Sequence, residues 1–256
     1  MEPIIVELKD IRLIYHEPHA ETLAIDTLNM TIREGEFVAI VGPSGSGKTS
    51  MLNLLCGLIP PSSGSVRLKG KEVSAPGQGI GYMLQRDHLL DWRDIEGNIL
   101  LGLEVKHMLN AETRERALSL LDKYGLEEFR HHYPRQLSGG MRQKVSLIRT
   151  LAFDPDLLLL DEPFSSLDYQ TRLRASDEIH AIITREHKTA LLVTHDIAEA
   201  ISMADRILVF TERPARVKQE HIITLSAPPS PIARRNAPEF HDYFDLIWKE
   251  LDTYEN

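Results

Sequence analysis

This chain contains a glycine-rich segment, Gly42-Pro43-Ser44-Gly45-Ser46-Gly47-Lys48-Thr49, whose spacing restricts the possible fold. It fits the pattern G-x-x-x-x-G-K-[ST] at every fixed position. The apolar run Phe37–Val41 before it predicts a buried strand, and residues 49–58 after it predict a helix that ends near Gly57. Glycines let the backbone turn tightly and aim N–H groups inward, and a helix start adds its positive end. The segment therefore predicts a loop that holds a polyphosphate.

Within this loop, Lys48 is placed to reach the β- and γ-phosphates as a point charge, and the Thr49 hydroxyl to bind Mg²⁺. The formal net charge of the chain is -9, so it should not attract nucleic acid or anionic lipid through bulk charge. An anion must then be held by local geometry. The candidate phosphate-binding residues are Gly42, Pro43, Ser44, Gly45, Ser46, Gly47, Lys48, Thr49 and Ser50.

A second carboxylate-bearing strand end lies at Asp161 and Glu162, after the apolar run 157–160. Ligands bind at the carboxyl ends of such strands in open α/β sheets. Asp161 is placed to hold Mg²⁺ through water, and Glu162 to orient or deprotonate an attacking water. The alternative is that the pair simply ends a strand before the helix that Pro163 begins.

Strand and helix patterns alternate on both sides of a helical stretch from about 94 to 152. Further strands are predicted at 4–15, 23–32, 64–68, 80–84, 189–193 and 206–210, and a further helix at 173–185. We therefore expect an α/β fold with a parallel-rich sheet, a β-rich N-terminal part and an inserted helical subdomain. No apolar run approaches the ~20 residues of a membrane helix, no secretory signal is visible, and Cys56 is the only cysteine.

The two motifs above are typical of a P-loop NTPase, and a third narrows the family. Leu137-Ser138-Gly139-Gly140-Met141-Arg142-Gln143 resembles the LSGGQ signature of ABC ATPases, with Met141 where the family has glutamine. Four other positions match the family in chain order. Tyr15 resembles the adenine-stacking aromatic, Gln85 the Q-loop glutamine, Ser166-Leu167-Asp168 the D-loop, and His195 the switch histidine. The resemblance covers residues 4–225.

The resemblance implies an ATPase that uses ATP and Mg²⁺ and works as a dimer of two copies. Ser138, Gly139 and Gly140 would bind the γ-phosphate of ATP held by the opposite copy, and Asp168 would join the nucleotide site from the D-loop that crosses the dimer interface. The implied catalytic residues are Lys48, Gln85, Glu162 and His195. The implied metal ligands are Thr49, Gln85 and Asp161, and Tyr15 would contact the adenine.

A separate ATPase chain resembles bacterial importers more than exporters. The stretches 85–92 and 213–216 look like the nitrate, sulfonate and taurine importer group, and related systems carry thiamine-precursor pyrimidines. The implied partners are integral membrane permease subunits and, indirectly, an extracytoplasmic solute-binding protein. The implied location is peripheral, on the cytoplasmic face of the cell membrane. Region 86–105 would form the permease groove, a role that exposure of Trp92 would favour over a plain surface loop.

The expected organisation is an ABC ATPase domain at 4–225, with its helical subdomain at about 86–152, followed by a proline-rich linker and a C-terminal amphipathic helix within 226–256. The apolar residues of that helix recur at helical spacing: Phe240, Tyr243, Phe244, Ile247, Trp248 and Leu251. We expect this face to pack on the parent domain, and the alternative is a partner site.

Two other functions stay open at the level of sequence. A soluble ABC protein of translation or DNA repair usually carries two cassettes, long coiled coils or zinc inserts, none of which is visible here. A non-enzymatic nucleotide-binding module would not need Glu162, Gln85 and His195 together. Co-purification with a permease and an ATPase assay would separate these alternatives from the importer ATPase.

Overall fold

The computed structural model describes residues 2–18, 20–77 and 79–252 of the 256. Its strands are β1 (Ile4–Glu17), β2 (Ala20–Arg33), β3 (Phe37–Val41), β4 (Ser63–Leu68), β5 (Lys71–Glu72), β6 (Ile80–Met83), β7 (Leu157–Asp161), β8 (Thr189–Val193), β9 (Arg206–Phe210) and β10 (Val217–Ile222). Its α-helices are α1 (Lys48–Leu55), α2 (Ile95–Val105), α3 (Ala111–Lys123), α4 (Gly139–Leu151), α5 (Tyr169–Arg185), α6 (Ile197–Met203), α7 (Pro231–Arg234) and α8 (Phe240–Asp252).

The N-terminal part forms an antiparallel sheet with the strand order β2-β1-β4-β5. The long strand β1 pairs with β2 on one side and with β4 on the other. This confirms the predicted β-rich N-terminal part. The sequence did not predict β5, because two exposed residues, Lys71 and Glu72, are too short to show a period.

The second sheet has six strands in the order β10-β9-β3-β8-β7-β6. Four of its neighbouring pairs are parallel, and β10 adds an antiparallel edge. This confirms the predicted parallel-rich sheet. The edge strand β10 was not predicted, because most of its side chains are polar and none is fully buried.

Successive side chains of the parallel strands enter two separate cores. In β3, Val38 and Ile40 pack with the antiparallel sheet and α1, whereas Phe37, Ala39 and Val41 pack with the helices. The strands β7, β8 and β9 alternate in the same way. The parallel sheet is therefore the central layer, buried on both faces, which explains why its strands are short apolar runs.

The helices agree with the sequence in kind and differ at their ends. The stretch predicted as helical, 94–152, contains α2, α3 and α4. The helix predicted at 173–185 begins earlier, at Tyr169, because Asp168 caps it: the Thr171 N–H donates to Asp168 Oδ1 at 3.1 Å. The short helix α6 was not predicted, and Asp196 caps it in the same way.

The C-terminal helix α8 packs on the parent domain, as expected. Phe240 and Ile247 are buried in the helical-side core, and Tyr243, Phe244 and Leu251 pack against it. Trp248 is 54% exposed. The boundaries 4–225, 86–152 and 226–256 stay predictions, and residues 253–256 lie outside the described residues. Across the described ranges, none of the helices combines the length and apolar character needed to traverse a bilayer.

Candidate functional site

The glycine-rich loop joins β3 to α1 and encloses the ammonium group of Lys48. Lys48 Nζ donates to the carbonyl oxygens of Gly42 at 2.7 Å and Pro43 at 2.8 Å. Burial lowers the pKa of Lys48, and the charges of Glu162 and Asp161 oppose that effect. The ammonium is thus held inside the loop by neutral carbonyls, which the stronger acceptors of a phosphate could replace.

Two loop positions require glycine for steric reasons. The φ angles are +75° at Gly45 and +98° at Gly47, a region that side chains rarely adopt. A Cβ on Gly47 would also lie 3.1 Å from the carbonyl oxygen of Ala24 and 3.1 Å from Ala215 Cβ. The loop is therefore wedged against β2 and the segment after β9, and its N–H groups are fixed in place.

The loop forms the floor of a cleft of 680 Å³, which we call the first cleft. Loop residues 44–50 line it, with Tyr15, Thr22 and Ala24 from the antiparallel sheet, Glu162 and His195 from the ends of β7 and β8, and Arg213 from the segment after β9. The Tyr15 hydroxyl donates to Ser50 Oγ at 3.0 Å, which holds the ring at the cleft wall. The aromatic ring of Tyr15 and the polar side chains of Glu162 and His195 therefore lie around the same phosphate-binding loop.

Glu162 is held towards the first cleft by an unusual backbone. Its φ is +44°, and its N–H donates to the carbonyl oxygen of Val193 at 2.8 Å. Its carboxylate Oε2 lies 3.2 Å from His195 Nδ1 and 3.4 Å from Gln85 Nε2. Three residues predicted as catalytic are thus brought together from the ends of three neighbouring parallel strands, β6, β7 and β8.

Asp161 lies behind Glu162 and is half-buried. The Tyr82 hydroxyl donates to Asp161 Oδ2 at 3.0 Å. Burial raises the pKa of Asp161, and the Tyr82 hydrogen bond works against that rise. Burial likewise raises the pKa of Tyr82, so the phenol stays a donor and fixes the orientation of the carboxylate.

The donors that were predicted to bind Mg²⁺ fit a cation shared with a phosphate. Thr49, Gln85 and Asp161 offer a hydroxyl, an amide oxygen and a carboxylate, all of them hard oxygen ligands. Within residues 2–18, 20–77 and 79–252 no group of three or more His, Cys, Asp or Glu side chains could hold a metal. Mg²⁺ often takes one or two carboxylates and completes its shell with water and phosphate oxygens. The site fits that arrangement and not a metal held by the protein alone.

The signature segment lines a second cleft of 510 Å³. Ser138 caps α4, since the Met141 N–H donates to Ser138 Oγ at 3.4 Å. Gly139 and Gly140 line this cleft together with Leu167 and Asp168. The Thr171 hydrogen bonds lower the pKa of Asp168. Among the lining residues of the two clefts, none is common to both.

Comparisons with known proteins agree with these motifs. A family model described as "ABC transporter" matches residues 25–165, more than half of the chain. The chain is 44% identical over 242 residues to the uncharacterized ABC transporter ATP-binding protein YtlC of Bacillus subtilis, covering 94% of this chain and 93% of that protein. The chain belongs to the ABC transporter family. It is an ABC ATPase subunit, as the sequence predicted.

Two further likenesses refine the comparison of this ABC ATPase. It is 36% identical over 249 residues to the nitrate import ATP-binding protein NrtD of Synechocystis, covering 94% of this chain and 93% of that protein. A solved dimeric ATP-binding cassette, MJ0796 bound to ADP and Pi, superposes with a TM-score of 0.72 at 31% identity, covering 86% of this chain and 99% of that one. This likeness confirms the predicted ABC ATPase fold.

The predicted site residues of the ABC ATPase fall into four places. Tyr15, Ser44, Gly45, Ser46, Gly47, Lys48, Thr49, Ser50, Glu162 and His195 line the first cleft. Gly42 and Pro43 line a neighbouring cavity of 300 Å³ that Trp248 and Leu251 of α8 also line. Gln85 contacts Glu162, and Asp161 lies next to it. Ser138, Gly139, Gly140 and Asp168 line the second cleft.

The sequence missed three residues of the first cleft: Thr22, Ala24 and Arg213. Thr22 and Ala24 lie two apart on β2 and so share a face, but neither carries recognisable chemistry. Arg213 stood in a segment that was read only as a mark of the importer group. The roles of all the site residues stay predictions.

Proposed function

We propose that this ATPase energises import of a small solute through a separate permease, by clasping Mg²⁺–ATP between two copies of the chain. The proposal depends on one observation: the phosphate-binding loop lines the first cleft, and the signature segment lines the second cleft, which is separate from it in one chain. A nucleotide in the first cleft would lack the signature contacts unless a second copy supplies them. The dimeric state of the solved relative MJ0796 agrees with this arrangement.

Binding would begin in the first cleft. The Tyr15 ring faces the adenine, and the N–H groups of loop 44–50 hold the phosphate chain. Lys48 Nζ then exchanges the carbonyls of Gly42 and Pro43 for phosphate oxygens, which are stronger acceptors. Mg²⁺, when bound, neutralises phosphate charge, with Thr49, Gln85 and Asp161 as the residues that would hold it.

Hydrolysis needs a water aligned with the γ-phosphate, and Glu162 is the group placed to accept its proton. His195 and Gln85 both contact Oε2 of Glu162, which leaves Oε1 to accept a hydrogen bond from the water. His195 is 63% exposed at its side chain, so it can turn from Glu162 towards the γ-phosphate when the dimer closes. The start of α4 from the second copy, at Ser138–Gly140, would cover the phosphate and exclude bulk water.

The Glu162→Gln variant tests this mechanism. The amide keeps the shape of the side chain but cannot accept the water proton, so turnover should fall by about 100-fold or more while ATP still binds. The trapped ATP should also stabilise a dimer, measured by gel filtration with and without ATP. Undiminished turnover would remove Glu162 from its role, and a monomer at all ATP concentrations would contradict the clasped dimer.

The import role rests on the likeness to NrtD, whose name states nitrate import, and on one exposed side chain. Trp92 is 75% exposed in the segment between β6 and α2, where it offers an aromatic anchor to a partner. We infer that residues 86–105 dock on integral membrane permease subunits at the cytoplasmic face, with an extracytoplasmic solute-binding protein delivering the solute.

Co-purification with the membrane subunit encoded beside this chain tests the docking. Trp92→Ala should lose the membrane subunit but keep ATP binding, because Trp92 lies outside the first cleft. Trp248→Ala is a matched control, since Trp248 is also exposed but belongs to α8. Equal recovery of the membrane subunit with both variants would contradict docking at Trp92.

A further inference from the structure

The segment between β9 and β10 is built into the wall of the first cleft. The Ala215 N–H donates to the carbonyl oxygen of Ala24 at 2.9 Å, and the Asp26 N–H donates to the carbonyl oxygen of Ala215 at 3.1 Å. Ala215 is fully buried and would touch any Cβ added at Gly47. The segment is therefore joined to β2 beside the phosphate-binding loop.

The same segment is closed on itself by the Thr211 side chain and backbone. Thr211 Oγ1 donates to the carbonyl oxygen of Pro214 at 2.9 Å and accepts from the Arg216 N–H at 2.9 Å. The Thr211 N–H donates to the carbonyl oxygen of Arg216 at 3.0 Å. These bonds fix the backbone on both sides of Arg213, so the fold sets where this side chain begins.

The Arg213 guanidinium reaches over the phosphate-binding loop. Arg213 Nε donates to the carbonyl oxygen of Gly45 at 3.4 Å, which is a long hydrogen bond. A Cβ built on Gly45 would lie 3.6 Å from Arg213 Nη2, an ordinary van der Waals distance, so the guanidinium lies directly against the loop at Gly45. Arg216, by contrast, is not among the residues that line the first cleft, and it pairs with Asp26. In the part of the chain that the structure describes, Arg213 has no ion-pair partner of its own.

The charges around the first cleft favour a second positive side chain beside Lys48 when a triphosphate binds. Lys48 faces the carboxylates of Glu162 and Asp161, so these three side chains alone carry a net negative charge. A triphosphate adds several more negative charges. A guanidinium offers a fork of N–H donors that matches phosphate oxygens in pairs, and phosphate is a stronger acceptor than the distant Gly45 carbonyl.

We propose that Arg213 binds the phosphate chain of the nucleotide in the first cleft, from its place above Gly45 of the phosphate-binding loop. This inference rests on the proposed function, since it needs the nucleotide in the first cleft. Arg213 exchanges the Gly45 carbonyl for phosphate oxygens when ATP enters. It acts on affinity and not on the chemical step, because its hydrogen bond is to the phosphate-binding loop, whereas Glu162 contacts Gln85 and His195.

The test is binding of a fluorescent ATP analogue to the full chain, and its displacement by ATP or by inorganic tripolyphosphate, which has no base. Arg213→Ala should weaken ATP and tripolyphosphate by the same factor, about tenfold, as expected for one charge-assisted contact at a solvent-open site. The affinity of the variant should also depend less on salt than that of the wild type. Arg213→Lys should recover part of the loss by restoring the charge.

Arg216→Ala is the matched control: it removes an arginine from the same segment and should leave both affinities unchanged. Unfolding midpoints of the variants show whether the segment itself is intact. Loss of ATP affinity without loss of tripolyphosphate affinity would overturn the inference, because the contact would then be to the nucleoside. Equal affinities of wild type and Arg213→Ala would overturn it as well. If wild type and Lys48→Ala fail alike to bind the analogue, the proposed function itself is wrong.

Discussion

The two clefts of this chain differ in the structural elements that form them. The first cleft has a floor of backbone in fixed left-handed conformations, wedged against other backbone at Ala24 and carrying the charges of Lys48 and Glu162. The second cleft is the start of helix α4, capped by Ser138 and packed on the side chain of Leu167. A rigid loop that holds a buried ammonium group can bind a ligand by itself, whereas a helix start beside a flexible side chain suits an approach to a ligand already bound.

The difference follows from where each cleft lies in the fold. The first cleft lies at the carboxyl ends of β3, β7 and β8, three strands buried on both faces, so small shifts there disturb two cores. The second lies at the edge of the helical insertion, where α4 meets the start of α5. We therefore expect changes in the phosphate-binding loop of the first cleft to weaken ATP binding, and changes in the second cleft to affect only steps that need two copies.

The largest expected contrast is between Lys48→Ala and Ser138→Arg. Removing the ammonium group from the loop should raise the Kd for ATP by about 100-fold, because several charge-assisted hydrogen bonds are lost together. Placing a bulky side chain at the exposed cap of α4 should change the Kd of the isolated chain by less than about threefold. It should nevertheless lower turnover by about 100-fold, the cost of losing an electrostatic contact to the transition state.

Equilibrium binding at low protein concentration and steady-state turnover at high concentration measure the two effects separately. Mixing the two variants supplies an internal control, because each composite site in a mixed dimer takes one cleft from each copy. One of the two sites then combines an intact first cleft with an intact second cleft, and part of the activity should return. If the Ser138→Arg variant binds ATP poorly as a monomer, the proposal that the first cleft alone binds ATP in the isolated chain is wrong.

The phosphate-binding loop of the first cleft could be predicted from the sequence because its backbone conformation requires glycine at fixed positions. Gly45 and Gly47 occupy left-handed backbone, and a glycine pattern at fixed spacing is the direct record of that requirement. The parallel strands were found for a related reason, since burial on both faces demands short apolar runs. The order of these strands came from three-dimensional packing and not from spacing, whereas the separation of the two clefts was expected only from the family resemblance.

The parts that the sequence missed lack such local rules. Arg213 reaches the first cleft through contacts of Ala215 with Ala24, which are almost 200 positions apart in the chain. The strand β10 and the helix α6 are short, and their backbone is set by neighbours rather than by periodicity. Helix α5 was predicted four residues too late, because the capping role of Asp168 was obscured by its place in the family motif.

The next contrast concerns carboxyl groups beside the two clefts. Glu199 lies on α6, four residues after His195 in the chain, and is only 3% exposed. Burial and the nearby charge of Asp196 raise its pKa to about 8. Thr194 Oγ1 donates to its Oε2 at 3.2 Å, and within the described residues its Oε1 is buried without a partner. Asp168, beside the second cleft, is exposed, and its pKa is lowered.

These shifts give opposite dependences of stability on pH. A raised pKa means that folded Glu199 keeps its proton after the unfolded chain has lost it, so its contribution is full below the unfolded pKa and disappears as pH rises through about 8. The lowered pKa of Asp168 contributes above its unfolded pKa and is lost only in acid. Relative to Glu199→Gln, wild type should lose about 2 kcal/mol of unfolding free energy between pH 6 and pH 8.

Urea unfolding of wild type and Glu199→Gln at three pH values checks this prediction. The control is Asp168→Asn, which removes the capping carboxylate and should leave the trend between pH 6 and pH 8 unchanged. Parallel pH curves for wild type and Glu199→Gln would show that Glu199 is ionised in the folded protein at pH 6. Helix α6 would then contain a buried charge that needs a partner.

The smallest change of structure that distinguishes the two clefts is one methyl group added to each. Gly47→Ala forces a side chain into left-handed backbone at φ +98°, with its Cβ 3.1 Å from the carbonyl oxygen of Ala24. This should cost about 1 to 3 kcal/mol of unfolding free energy. Gly139→Ala places its Cβ 2.8 Å from Leu167 Cδ2, the end of a side chain that can rotate, and alanine favours the start of α4.

The net effect of Gly139→Ala should therefore be below about 1 kcal/mol, by the same unfolding measurement without nucleotide. Gly35→Ala provides a reference for the backbone term alone, because φ is +76° there and nothing lies within 4 Å of the added Cβ. If Gly139→Ala costs as much as Gly47→Ala, the second cleft is as rigid as the first. Closure of the dimer would then have to move α4 as a rigid body, because Leu167 could not adjust.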